Sequence, residues 1–348
     1  MFLLMPFILF LSPSCKTVTD ASTGATKVIS QEGNSLFHQT KETSLKVGKI
    51  EVTGEVKNPG TIRLDALYKR EVFVKESVKE GNEIKLIGAY RYSGYSLFDI
   101  LNPYIQNKKN GEAFKPPIDL YVIIGNAKGE SVVFSWSEIF YTNNPHQIII
   151  ATESAPIEPH RKKVDFPVGT ICKVVAANDL YACRMLENPT TIKVVSFDKK
   201  EYPIQKNLNP AYSPDIKVFL NNETSFIIPE VTDSARFIKY NATFYGMGMG
   251  YHPVPYFQGP ALQDFLKKGI DLYSPDLISH GLVCFVGIDG YRSVYSFSEL
   301  FNRTDQVLPI LSVVKDKMDG GYYRIFLPSV FYADMSVKGL AEIYFFKE

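Results

Sequence analysis

The chain has 348 residues, a length that suits about two domains of roughly 150 residues each. Lys and Arg number 38 against 37 Asp and Glu, and the resulting net charge of +1 argues against a nucleic-acid binder, which carries a strongly basic face. Hydrophobic residues make up 45% and aromatic ones 13%, cut by 23 Gly and 21 Pro, which favours strands and turns over a helical bundle.

The chain begins with an almost unbroken apolar run, MFLLMPFILFL, from Met1 to Leu11. That is short of the roughly 20 residues needed to span a bilayer, but it has the length of a signal-peptide core. The run leads into Ser12-Pro13-Ser14-Cys15 and so resembles a bacterial lipoprotein signal. That resemblance implies a signal at residues 1–15, a lipidated Cys15, and an exported protein anchored in the cell envelope. The structural alternative is a buried N-terminal strand. No Lys or Arg precedes the run, and Pro13 lies inside the cleavage motif, so the signal pattern is incomplete. Residues 16–45 are rich in Thr, Ser, Lys, Gly and Gln and read as a flexible tether.

A first domain is expected over 46–198. Ile50 to Val56 alternates as a strand and stops at the turn Asn58-Pro59-Gly60. Leu97, Phe98, Leu101, Tyr104 and Ile105 share a helical face, and Leu120 to Gly125 is an apolar strand. Cys172 and Cys183 flank a turn at Ala177-Asn178-Asp179, which allows either a bridge across a hairpin or two buried thiols. With Cys284 and Cys15 they show no zinc-ligand spacing. Residues 199–214, with Pro203, Pro210 and Pro214, read as a linker to a second domain over 215–348.

The second domain repeats the first. Val133-Phe-Ser-Trp-Ser-Glu-Ile-Phe140 returns 161 residues later as Val294-Tyr-Ser-Phe-Ser-Glu-Leu-Phe301. Leu120 to Gly125 is matched by Leu282 to Gly287, and Gly94 to Leu101 by Gly259 to Leu266. In the second copy Pro260 suits the first position of a helix and Gly269 its stop. Ser135 with Glu138, and Ser296 with Glu299, have the spacing of a capping box, so these Ser–Glu pairs start helices instead of forming a catalytic pair.

The ordered segments Ile50 to Pro59, Tyr92 to Leu101, Val133 to Phe140 and Thr191 to Val194 resemble the oxidoreductase molybdopterin-binding domain of the sulfite oxidase fold, present here as two tandem copies. The resemblance implies an α+β fold of mixed sheets with short helices and a β-grasp-like element. Val52 to Gly60 also resembles the start of the β-grasp domains of polysaccharide exporters. Catalytic members of the molybdopterin family hold molybdenum through one cysteine thiolate between the early strands and the first helix. The corresponding windows, Ile84 to Gly94 and Ala242 to Gly259, contain no cysteine. The expectation is therefore a non-catalytic module without a cofactor, with a molybdopterin enzyme lacking the cysteine ligand as the alternative. No G-x-S-x-G, phosphate-binding glycine loop or H-E-x-x-H is present either.

Two aromatic windows occupy the place over which that family's cofactor lies. The first is Ala89 to Gly94, with Tyr90, Arg91 and Tyr92, and with Tyr95 just beyond. The second is Tyr245 to Tyr256, with Tyr245, Met247, Met249, Tyr251, His252 and Tyr256. Its alternate glycines let a backbone approach a neighbour closely. Met247, Met249 and His252 are soft donors suited to Cu(I), or else parts of a packed aromatic loop. Exposed tyrosines in these windows would suit a small molecule, a glycan or an envelope protein.

Overall fold

Short alternating runs become strands throughout this computed structural model, which describes residues 37, 40–81, 83–159, 161, 164–208, 210–220, 223–231, 233–313 and 322–348. The expected signal, Cys15 and most of the expected tether lie outside the described residues. The first half holds β1 (Thr43–Ser44), β2 (Glu51–Gly54), β3 (Gly60–Thr61), β4 (Arg70–Glu80), β5 (Glu83–Ser96), α1 (Leu97–Leu101), β6 (Leu120–Asn126), β7 (Ser131–Ser135), α2 (Trp136–Phe140), β8 (Ile148–Pro156), β9 (Lys173–Ala176) and β10 (Pro189–Ser196). The second half holds β11 (Ile216–Leu220), β12 (Glu223–Ile228), β13 (Ile238–Asn241), β14 (Phe244–Gly246), β15 (Gly250–His252), β16 (Tyr256–Gly259), α3 (Leu262–Leu266), α4 (Pro275–His280), β17 (Gly281–Gly287), β18 (Arg292–Ser296), α5 (Phe297–Phe301), β19 (Ile310–Val313), β20 (Tyr323–Phe326) and β21 (Leu340–Lys347). The fold is mixed α+β, mostly sheet with a few short helices.

The two halves carry the same sheet. In the first the order is β3-β2-β10-β6-β7, and in the second β12-β11-β21-β17-β18. In each, the last strand of the half runs parallel to the first central strand and antiparallel to the next. The side-chain period of two then serves two cores at once. Leu120, Val122 and Ile124 of β6 face a core shared with α1 and α2, while Tyr121 and Ile123 face the other half. In β17, Val283 and Phe285 face the core of the second half, while Leu282, Cys284 and Val286 face the first. The sheets thus pack through Tyr121, Val133 and Phe197 against Leu282, Cys284 and Tyr344. Residues Phe37–Glu348 form one compact unit.

Each half has a second layer, and here the halves diverge. In the first, β1, β8, β5 and β4 pair in that order, with β9 beside β8. Thr43–Ser44, at the end of the segment expected to be a tether, pairs with Glu153–Ser154. In the second, the long β4–β5 hairpin is replaced by two short ones, β13 with β16 and β14 with β15. Pro253 and Pro255 lie where the strand would continue, and proline has no N–H to give to a ladder. Gly94 and Gly259 are equivalent in this layer: a Cβ on Gly94 would collide with the Ile150 carbonyl, and one on Gly259 with the Leu311 carbonyl.

The helices are shorter than the sequence suggested. α1 is capped by Ser96, whose hydroxyl accepts the Asp99 N–H at 3.1 Å, and ends before Pro103, so Ile105 is exposed and not part of its buried face. Pro260 precedes the N-cap Ala261 of α3 and does not occupy the first helical position. Residues 199–214, expected as a linker, are tied to the second sheet: Lys200 and the Tyr202 hydroxyl bind Glu342 at 2.6 and 2.7 Å, and the Gln205 N–H donates to the Asp289 carbonyl at 2.8 Å.

Candidate functional site

The first aromatic window is interior, contrary to the expectation of exposed tyrosines. β5 lies between β4 and β8, and from Gly88 to Gly94 its residues are buried or half-buried on both faces. Tyr90 and Tyr92 are buried; the Tyr90 hydroxyl donates to the Pro167 carbonyl at 2.7 Å, and the Tyr92 hydroxyl donates to the Glu76 carboxylate. Lys173 closes that group, 2.6 Å from Glu76 and 4.7 Å above the Tyr92 ring. Burial, with the Glu76 charge second, raises the Tyr92 hydroxyl above its ordinary value, so it stays a donor. Arg91 points to the opposite face, where Glu71 and Glu42 lie 2.9 and 3.3 Å from its Nη1. All three side chains are held by partners within the fold, Arg91 apart from the two tyrosines, and none of them lines either of the cavities described next.

The second window is a surface hairpin. Phe244 to Gly246 pairs antiparallel with Gly250 to His252, and Met247 to Met249 form its tip. Gly250 has φ +72°, a conformation that glycine adopts without strain and that turns the chain back. Tyr245, Met247, Met249, Tyr251 and Tyr256 are all exposed, Met249 to 84%. His252 is half-buried, and the Asp334 carboxylate fixes the tip by accepting the Met247 N–H at 2.7 Å. Tyr256 sits away from the tip, with Lys239 4.0 Å over its ring. The strand register also corrects the pairing of the two windows. Gly94 faces Arg70 and Gly259 faces Ile238, so Ala89 to Gly94 corresponds to Val254 to Gly259, and the exposed tip has no counterpart in that segment.

A cavity lies on each side of this hairpin. One, of about 410 Å³, is lined by Tyr245, Phe244, Phe326, Phe331, Tyr332 and Met335, with Asn143, Asn241 and Thr243 among its polar residues. Among the described residues, none that lines it is Asp, Glu, Lys, Arg or His. The other, of about 400 Å³, takes in Met249 and His252 together with Asp289, Arg324, Asp334 and Lys338. Met247, Tyr251 and Tyr256 line neither cavity. Among the described residues no group of three His, Cys, Asp or Glu is placed to hold a metal ion.

Both expected capping boxes are formed. Ser135 Oγ accepts the Glu138 N–H at 3.0 Å, and Glu138 accepts the Ser135 N–H at 2.8 Å. Ser296 and Glu299 do the same at 3.0 and 3.1 Å. The sequence did not reveal that the two boxes meet. The Ser137 hydroxyl donates to Glu299 at 2.9 Å and the Ser135 hydroxyl donates to its other oxygen, so one box is hydrogen-bonded to the other. Arg184 lies in the same interior, with both Nη atoms on Glu138 at 2.8 and 3.0 Å and Nη2 on Asp179 at 2.7 Å. Its counterpart 151 residues on is Met335, an offset fixed by the paired bridges Lys173–Glu187 and Arg324–Lys338. Glu138 therefore has a cation and Glu299 has none. Burial, followed by repulsion from Glu138, pushes the Glu299 carboxyl up to about 8, so it holds its proton well above the usual carboxylate range.

The molybdopterin alternative requires residues able to hold the metal. Cys172 and Cys284 are completely buried in separate apolar clusters, Cys183 is half-buried, and all three thiols are free. Burial raises each of them above the ordinary thiol range, away from the deprotonated sulfur that a soft metal takes. None lines either cavity beside the hairpin. The described thiols do not fit that metal. No model of a known protein family matches the chain. No curated protein sequence matches it either.

Proposed function

We propose that the chain is an exported, lipid-anchored, non-catalytic binding or assembly module of the bacterial cell envelope, built on two degenerate sulfite-oxidase-type domains. The observation that carries this reading is the surface hairpin Phe244–His252, which raises uncharged aromatic and methionine side chains beside a concave, uncharged cavity. Such a wall binds by contact area and hydrogen bonds. Two buried titratable clusters are tied up in structure: Arg184 with Glu138 and Asp179, and Lys108 and Arg292 with Asp119. The apolar run ending at Cys15 and the polar segment after it support the anchor.

Elemental analysis and small-molecule mass spectrometry of the purified protein test the non-catalytic part. The expected result is no molybdenum, no pterin and no turnover of sulfite or sulfoxide. Stoichiometric molybdopterin in the recovered protein replaces this reading with the enzyme. Intact mass spectrometry of the membrane fraction tests the anchor: an acylated Cys15 terminus is expected, and an unprocessed Met1 terminus overturns it.

A further inference from the structure

We propose that the cavity of about 410 Å³ beside the hairpin is a site for a neutral glycan, stacked on Tyr245 and Phe331. This names the ligand class for the binding-module reading and rests on it. The size falls within the range of roughly 300–1,000 Å³ typical of ligand pockets. Tyr245 and Phe331 are 45% and 48% exposed, with ring centroids 6.1 Å apart and planes at 62°. Tyr332 continues the aromatic wall, its ring 4.9 Å from that of Phe331.

The backbone on the Phe331 side of the wall is held before anything binds. The Phe331 N–H donates to the Tyr141 carbonyl at 2.7 Å, and the Asn143 N–H donates to the Ser329 carbonyl at 2.9 Å. This short bridge clamps a segment of the second half to a segment of the first. The backbone on that side needs no rearrangement on binding, which favours affinity.

The lining selects the ligand class. A charged ligand would enter a place where no lining residue offers an opposite charge, and burying an unpaired charge is costly. A wholly apolar ligand would displace water from the exposed Asn241 amide and Thr243 hydroxyl and offer them nothing in return, while the Asn143 amide already donates to the Pro328 carbonyl at 2.9 Å and keeps its oxygen for a donor. A neutral sugar has apolar C–H faces for the aromatic rings and hydroxyls for the amides. These polar groups are side chains from two separate segments, an arrangement that suits a hydroxyl-rimmed ring.

Saturation-transfer NMR on the full chain tests this with neutral tetrasaccharides of glucose, galactose and N-acetylglucosamine, a tetragalacturonate and a proline-rich peptide. At least one neutral tetrasaccharide should bind, and Tyr245→Ala and Phe331→Ala should each weaken it about tenfold, the effect of losing one aromatic contact. Tyr68→Ala, which removes a tyrosine that is 80% exposed elsewhere, should leave the affinity unchanged. Circular dichroism identifies a variant that has not folded, and the other aromatic substitution then decides. Three results overturn the proposal: no neutral tetrasaccharide binds, binding ignores both aromatic substitutions, or the tetragalacturonate or the peptide binds more tightly at these residues. In that last case the binding-module reading stands and only the ligand class falls. That reading fails by a different measurement, the recovery of stoichiometric molybdopterin.

Discussion

At the scale of single residues, the interior is decided by where the repeat breaks its own symmetry. Tyr181-Ala-Cys-Arg184 and Tyr332-Ala-Asp-Met335 stand 151 residues apart, and one substitution in this pair leaves Glu138 with a guanidinium and Glu299 without one. The folded chain holds the Glu299 proton more tightly than the unfolded chain, whose carboxyl has its ordinary value near 4.5. Unfolding then releases that proton, and stability falls as pH rises from about 4.5 to about 8. Glu299→Gln keeps the shape and removes the titration. Urea denaturation between pH 5 and 9 should show a flatter profile for the variant, with its stability at pH 9 at or above that of the parent. A profile parallel to the parent's would mean that Glu299 is not the group that titrates. Arg184→Met, which copies the second half into the first, leaves Glu138 and Asp179 buried without their cation. It should cost about 3–5 kcal/mol in the same assay at pH 7, the usual loss when one partner of a buried pair is removed. The capping boxes were legible because their spacing is local. Their meeting was not, because spacing within four residues carries no information about a partner some 160 residues away.

At the scale of elements, the strands where the two central sheets meet were legible because they are short unbroken apolar runs, as suits strands covered on both faces. Leu120 to Gly125 and Leu282 to Gly287 were read as strands and are β6 and β17. The aromatic windows were harder, since Tyr and Phe suit both a buried strand and an exposed hairpin. What separates the two windows is proline and glycine. Val72 to Gly94 holds no proline, and β4 and β5 pair along their length with Tyr90 and Tyr92 inside, whereas Pro253 and Pro255 cut the second window and leave its tip at the surface. The glycines that ended each window as a sequence match are also where two strands come closest. Gly94→Ala and Gly259→Ala push a methyl group into the backbone of the neighbouring strand. Each should destabilise by about 1–3 kcal/mol, the range for overpacking, as measured by the urea midpoint at constant slope. A loss below about 0.5 kcal/mol at either position would mean that the strands separate there at little cost.

At the scale of the molecule, the repeat was legible as two units but not as one packed body. Sequence similarity shows that segments are alike; it does not show that their outward faces match. The match lies in alternate positions: Tyr121 and Val133 on one sheet meet Leu282, Cys284 and Tyr344 on the other, and all five are completely or almost completely buried. The Ser135–Glu299 contact crosses from one half to the other, and the bridges Thr142–Val330 and Asp179–Arg303 join the halves as well. Separating the halves would expose an apolar face on each and leave Glu299 without the Ser135 and Ser137 hydroxyls. Neither half should therefore unfold alone. Trp136, the single tryptophan, lies buried in α2 of the first half and reports on that half, whereas far-UV circular dichroism sums over both. The two signals should follow one urea transition with the same midpoint and slope, as expected of all-or-none unfolding. A tryptophan transition that is complete while a large part of the β signal remains would show that the sheets part before the second half unfolds, and that the face between them contributes less than its burial suggests.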